Sequence, residues 1–373
     1  MNNSTNGFDE RRLADFKRIV EGYLLSIVCI CGLLGNALTC IVLSSRFMRT
    51  SITNIYIFAL SCASSFVLVG FLLTHGIRAT FRAEVFYCLI FTRMFPIHVT
   101  CLLIQIYLTA AVAFDRFILI CLPFCSRKWR SPKLAICVVF SICVFSMLYC
   151  IPFWFEFTLI KEYNRTNIRV SRFGSHRLFR LIMRKYLYFI FVFLLPLSII
   201  LICKILIIKN LYLIEKRKRL LGTSLKTNRS SNAMNFLLLS IVFLFLLTQI
   251  PYFVFNVLYS LSGATLMKNL LARQYLVINN LLSVINASAT FILYAFFDRK
   301  FREVSEYFLF CRPLPAHFHS RNAAIRLLSE NFTLSKRRST MNSTYRWSTY
   351  INNNSIDSRK KNLIISHSMP ANV

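Results

Sequence analysis

The sequence predicts an all-α membrane protein: a bundle of seven transmembrane helices followed by a short amphipathic eighth. Three observations carry this. Of 373 residues, 56% are hydrophobic, and they fall in long blocks. Seven blocks reach the ~20 residues a helix needs to cross a hydrocarbon core of about 30 Å. A spanning segment of that length must satisfy its backbone groups internally, which a helix does.

Taken in order, the chain opens on a polar segment, MNNSTNGFDERR. It lacks the marks of a cleavable signal peptide. Asn2 and Asn3 head overlapping glycosylation sequons, which points to an extracellular N-terminus over residues 1–22. The apolar blocks run from Tyr23 to Leu43, Asn54 to His75, Cys88 to Leu119, Leu134 to Phe157, Tyr186 to Ile208, Asn235 to Ser260 and Gln274 to Phe297. Together they make a bundle over residues 23–297. The longest outer connection is Thr158–Lys185.

Residues 298–311 carry Arg299, Lys300 and Arg302 beside Val304, Tyr307 and Phe308. That mix suits a short helix lying on the membrane surface. Cys311 at its end is a palmitoylation candidate, with a free thiol as the other reading. Residues 312–373 are rich in Ser, Thr, Asn and bases, with little apolar periodicity, and read as a disordered cytoplasmic tail. Lys336-Arg337-Arg338-Ser339-Thr340 would suit a basophilic kinase.

The net charge is +31. The bases lie between apolar blocks, which suits basic loops against lipid headgroups and gives no nucleic-acid module. Inner and outer connections carry nearly equal numbers of bases, because Thr158–Lys185 is itself basic. Orientation therefore rests on the sequons, Asn164-Arg165-Thr166 included, rather than on the positive-inside bias. The 13 cysteines sit mostly inside apolar runs, as small hydrophobes do. None has metal-ligand spacing, so neither metal nor cofactor is expected.

Candidate functional residues follow from polar groups in apolar helices. Asp115 and Arg116 lie near the inner end of the third block, in IYLTAAVAFDRFILICLPF. Such charges cost about 2.5–3.5 kcal/mol each at a helix centre and less near an interface. They read either as side chains snorkelling to the headgroups or as a switch at the inner boundary. Pro251 removes a backbone hydrogen bond from the sixth helix and gives it a kink, static or mobile. Gln249, Tyr252, Phe253 and Asn256 share one face of that helix by their i, i+3, i+4, i+7 spacing. His98 lies 18 residues before Arg116, five turns along the same face. Asn279, Asn280 and Ser283 can add to a cavity from the seventh helix. For each, interhelical packing is the alternative to ligand contact.

Residues 23 to 311 resemble the rhodopsin-like (class A) G-protein-coupled receptors. The resemblance rests on Gly35-Asn36, on Asn54-Ile55-Tyr56 with Ala59-Leu60-Ser61, and on Asp115-Arg116-Phe117 with Ile118, Cys121 and Pro123. Pro196 in FLLPLSII is similar to the fifth-helix proline. Pro251 with Phe245 is similar to the sixth-helix kink, and TFILYAFF with Tyr294 to the seventh-helix ending. Within that family, LYCIPFWFE (Leu148–Glu156), NASATF (Asn286–Phe291) and Gln249 resemble FMRFamide-type invertebrate neuropeptide receptors.

The resemblance implies an extracellular peptide ligand, a heterotrimeric G protein, arrestin and a receptor kinase at the tail, and a place in the plasma membrane. It implies that Asp115 and Arg116 hold the resting state, that Arg116 then faces the G protein, and that Tyr294 belongs to the same switch. It also implies a disulfide at Cys88. No cysteine lies between Cys150 and Cys203, so Cys88 is either free or bonded to Cys150.

Several residues depart from the family pattern. Ser64, Gln105 and Thr290 replace residues of the family's sodium pocket and leave it without a carboxylate, so no sodium modulation is expected. Lys204 replaces a Tyr and would repel Arg116 rather than reach Tyr294 through water. Ser231 and its neighbours offer no acid on the sixth helix.

A transporter would need carboxylates well inside its spans, and Asp115 sits at a helix end. No nucleophile–base pair or metal cluster suggests a membrane enzyme. A receptor-like protein that signals constitutively, or serves as a scaffold without a ligand, remains the alternative.

Overall fold

The computed structural model describes residues 2–45, 47–48, 51–77, 79, 84–124, 126, 130–162, 165–220, 229–297 and 299–310. They form seven long helices, one hairpin, a short terminal helix and short helical turns at Arg172–Ser175 and Gly263–Lys268. α1 runs without interruption through Asn2–Lys17, a wide π-helical stretch at Arg18–Leu25, and Ser26–Ser44. α2 is Ile52–Phe71, continued by a π turn at Leu72–Gly76. α3 is Glu84–Cys121, and α4 is Pro132–Cys150 with a 3₁₀ extension, Ile151–Phe155. β1 (Phe157–Glu162) and β2 (Arg165–Val170) pair antiparallel, Phe157 opposite Val170 and Glu162 opposite Arg165. α5 comprises Arg177–Phe179, a π-helical stretch Arg180–Leu194, and Leu195–Leu220. α6 is Arg229–Ser262, α7 Leu270–Phe297 and α8 Arg299–Phe310. Among the described residues, six of the long helices are apolar enough to cross a membrane, and the 34-residue α6 completes the seven.

Two boundaries differ from the sequence expectation. Residues 2–22, expected to be an extracellular segment, continue the helix of the first span. Glu21 is buried there because it finds a donor, Asn280 Nδ2 at 3.0 Å. α5 begins at Arg177, inside the stretch expected to be an outer loop. The fourth block changes from α to 3₁₀ geometry after Cys150, where Pro152 disfavours a continued α turn at the residue before it. Asn164, Cys311 and residues 312–373 lie outside the described residues.

Local rules explain most of the remaining geometry. Ser131 caps α4 by accepting from the Leu134 amide at 3.1 Å, with Pro132 at the first helical position. Hydroxyls inside the spans bond back to their own helix: Thr39 to the Gly35 carbonyl, Thr74 to Gly70, Thr109 to Gln105. In lipid, that satisfies each of these hydroxyls within its own helix. Large apolar side chains such as Leu34, Phe140, Met147 and Ile205 point outward, as lipid-facing positions should.

Inside, α3 is the hub. Leu103, Ile106 and Ala110 pack on Phe153, Met183, Val192 and Ile200 of α4 and α5. Leu108 packs on Leu60 and Ala63 of α2. α1, α2 and α7 form a second cluster through Cys29, Leu68 and Ala287. α1 meets α7 closely at Gly35, where a Cβ would lie 2.7 Å from the Phe291 ring. α8 buries Phe301 and Val304, with Phe301 against Phe291 and Tyr294. Arg302 donates to the Ala295 and Phe296 carbonyls and so caps the end of α7.

Candidate functional site

The bundle holds two sites, one at the hairpin end and one toward the opposite end. The first is a cavity of about 60 Å³ between α3, the 3₁₀ turn, α5, α6 and α7. Its walls are aromatic: Phe95, Tyr149, Phe153, Tyr188 and Tyr252. Its polar groups are few: Gln249, Asn256, Ser283 and the guanidinium of Arg184. The 3.6-residue period puts Gln249, Tyr252 and Asn256 on one face of α6, and the structure turns that face inward as the sequence expects.

Arg184 dominates the electrostatics. It comes from the π-helical stretch of α5, forms an ion pair with Glu156, and donates to Asn256 Oδ1 at 3.5 Å. Its carbon centre lies 5.6 Å from the Phe153 ring and 5.3 Å from that of Tyr259, within cation–π range. Glu156 is 1% exposed. One of its oxygens takes Arg184, while Oε2 has no hydrogen-bond partner. Sequence reading missed Arg184, which it placed among the bases of an outer loop. The signal that could have found it is Glu156 itself, since a carboxylate beside an apolar run needs a cation.

Not every expected residue reaches this cavity. His98 packs edge-on to Phe71 of α2, ring centroids 4.2 Å apart, and fits against Gly70, where a Cβ would lie 2.5 Å from Nδ1. At His98 this face of α3 is covered by α2, so the ring fills the helix interface. Phe253 stacks on Phe193 at 4.6 Å and packs α6 on α5. Asn280 is occupied by Glu21. Asn279 Nδ2 and the Tyr275 hydroxyl donate to the Pro251 carbonyl, at 3.4 and 3.0 Å, and tie α7 to the proline turn of α6. Pro196 sits where the π-helical stretch of α5 gives way to α geometry.

At the opposite end, Asp115 is buried but does not rely on Arg116. Residues one apart on a helix do not face each other. Asp115 instead takes Nε of Arg130 at 2.8 Å, its Nη2 at 3.2 Å, and the Thr53 hydroxyl at 2.5 Å. Arg130 Nη2 also donates to Thr53 at 3.1 Å. This three-residue latch joins α2, α3 and the connection that leads into α4. Arg116 is half-buried, with no ion-pair partner among the described residues. A second cavity, about 30 Å³, lies nearby, with Lys204, Gln105, Asn286, Thr290 and Tyr294 on its walls.

Cys88 and Cys150 are both buried, and no disulfide joins them. Asn2 and Asn3 open α1, with side chains outside the described residues.

The comparisons agree with this architecture. A family model described as 7 transmembrane receptor (rhodopsin family) matches residues 35–294. The FMRFamide receptor of Drosophila melanogaster is 27% identical over 79% of this chain and 54% of its own length. The "Probable G-protein coupled receptor frpr-1" of Caenorhabditis elegans is 22% identical over 79% of this chain and 80% of its own. The sex peptide receptor of Drosophila melanogaster is 25% identical over 76% and 70%. This chain thus spans about half the length of the first of these relatives.

Proposed function

The chain belongs to the rhodopsin family of seven-transmembrane receptors, and from that premise we propose that it detects an extracellular peptide and signals through a heterotrimeric G protein. Relatives named for the FMRFamide and sex peptides support the ligand class. In this reading the protein is a multi-pass protein of the plasma membrane with its N-terminus outside. Asn2, Asn3 and Asn164 carry glycans, and Cys311 a palmitoyl chain that holds α8 on the inner leaflet. Arrestin and a receptor kinase engage the tail.

The observation that carries the proposal is the cavity beneath the hairpin: aromatic walls around one guanidinium. Aromatic walls suit the aromatic side chains of a short peptide, and Arg184 suits a hydrogen-bond acceptor on it. A C-terminal carboxamide oxygen or an acidic side chain meets that need. A basic side chain does not, because Glu156, the acid beside this cavity, already holds Arg184. At the opposite end, Arg116 is the contact for the G protein, and the Asp115–Arg130–Thr53 latch holds the resting state. A peptide-library screen on cells expressing the full chain tests this. A response that is lost in Arg116→Ala while peptide binding persists is expected. A response unaffected by Arg116→Ala would refute the G-protein route.

A second reading, constitutive signalling without a ligand, is favoured by one observation. Lys204 sits near Arg116 and sets two cations against each other at the core of the switch. High basal second-messenger output that no peptide changes would support it.

A further inference from the structure

The cavity at Lys204 contains a buried amine with no acid on its described walls. Lys204 is 7% exposed, and its Nζ has no hydrogen-bond partner among the described residues. It borders the cavity of about 30 Å³, room for one or two species the size of water. The polar lining consists of Gln105, Thr109, Asn286, Thr290 and Tyr294, with no Asp or Glu. Asp115, two residues beyond Ala113 of the cavity wall, already has three donors. Arg116 adds repulsion rather than relief. An ammonium buried without an anion is strongly disfavoured. The primary amides of Gln105 and Asn286 and the hydroxyls of Thr290 and Tyr294 can all donate.

We propose that the cavity between α3, α5 and α7 binds a small monovalent anion, a halide, which neutralises Lys204 and accepts hydrogen bonds from the surrounding amides and hydroxyls. The site is compact, so it selects by size. Chloride and bromide enter, and gluconate does not. Because the anion is held by α3, α5 and α7 together, it stabilises the packing of those helices as any ligand of the folded state does.

The test uses the purified full-length receptor in nanodiscs. Its thermal unfolding is followed in sodium chloride, sodium bromide and sodium gluconate at equal ionic strength. The midpoint should fall by about 3 °C or more when gluconate replaces chloride, and bromide should restore it. Titrating chloride into gluconate should give one saturable transition. Lys204→Met removes the charge and should unfold at the same temperature in all three salts. Equal midpoints for the wild type in chloride and gluconate would overturn the proposal. So would a chloride effect that survives in Lys204→Met, since surface bases then carry it. Should Lys204→Met fail to fold, Asn286→Leu and Thr290→Val serve instead. Each should raise the half-saturating chloride concentration about tenfold, and unchanged half-saturation would count against the site. A neutral amine solvated by water is the competing arrangement. It predicts that raising the pH in gluconate recovers the whole chloride effect, and that result also overturns the proposal.

Discussion

Replacing Arg130 by Met should raise ligand-independent signalling. Asp115 is 5% exposed and Arg130 15%, so the pair is largely withdrawn from water. Asp115 receives two bonds from Arg130 and one from Thr53. Hydrogen bonds to charged groups contribute roughly 1.5–3 kcal/mol each. Arg130 keeps some hydration, and its two bonds share one side chain, so the net loss is about 2 kcal/mol. If the latch is made only in the resting state, the ratio of active to resting receptor rises about 30-fold, because 1.4 kcal/mol is a factor of ten. Thr53→Val removes one neutral donor, about 1 kcal/mol, and should give roughly a fivefold rise. The assay is nucleotide exchange on purified G protein with receptor in nanodiscs and no peptide, normalised to folded receptor. Asp115→Asn combined with Arg130→Met should match the larger single change, since both break one contact. Wild-type basal exchange in Arg130→Met, beside raised exchange in Asp115→Asn, would refute the reasoning, for Asp115 would then be held by another group.

Arg184→Ala should reduce peptide potency about 30-fold or more, with Arg184→Lys recovering part of it, because the ammonium keeps the charge but loses the planar fork; competition binding measures both. Gly70→Ala should lower the thermal unfolding midpoint by several degrees, since the new methyl meets the His98 ring, whereas His98→Phe should leave peptide affinity within about twofold. Exchanging sodium for N-methylglucamine should leave agonist affinity unchanged, because Ser64, Gln105 and Thr290 supply no carboxylate; a sodium-dependent shift would contradict this.

The spans were legible because the membrane imposes a length and an apolar surface that composition reports directly. The inward face of α6 was legible because three polar positions on a lipid-immersed helix leave it one orientation. What escaped were pairings between segments distant in sequence. His98 was placed by helical phase alone, and phase does not say which neighbour covers a face. A glycine on α2 let that helix close over it. The family resemblance joined Asp115 to Arg116, although the hundred-degree turn per residue separates them. Arg130, 15 residues on, was one base among several in a loop. Glu21 and Arg184 were both counted as outer-segment charges, since the sequence does not show that α1 and α5 begin so early.

The arrangement of α6 explains how the two ends of the bundle can be coupled. Pro251 has no amide hydrogen, so the carbonyl one turn earlier lacks its helical donor and the turn is soft. The hairpin-end cavity touches α6 on both sides of that turn, at Gln249 before it and at Tyr252 and Asn256 after it. The other cavity touches the same helix at Leu244. α7 grips the turn through Tyr275 and Asn279 and carries Tyr294 onto the wall of the Lys204 cavity. A ligand that draws Asn256 and Tyr252 toward Arg184 therefore pulls on the soft turn and on α7 together. Its effect on the switch equals its differential affinity for the two arrangements of that turn, and no more. The latch at Asp115 lies on α2, α3 and the connection before α4, outside this path. In the role proposed above, its strength sets how much of the receptor is active at rest, while the proline turn sets how far a ligand can move that balance.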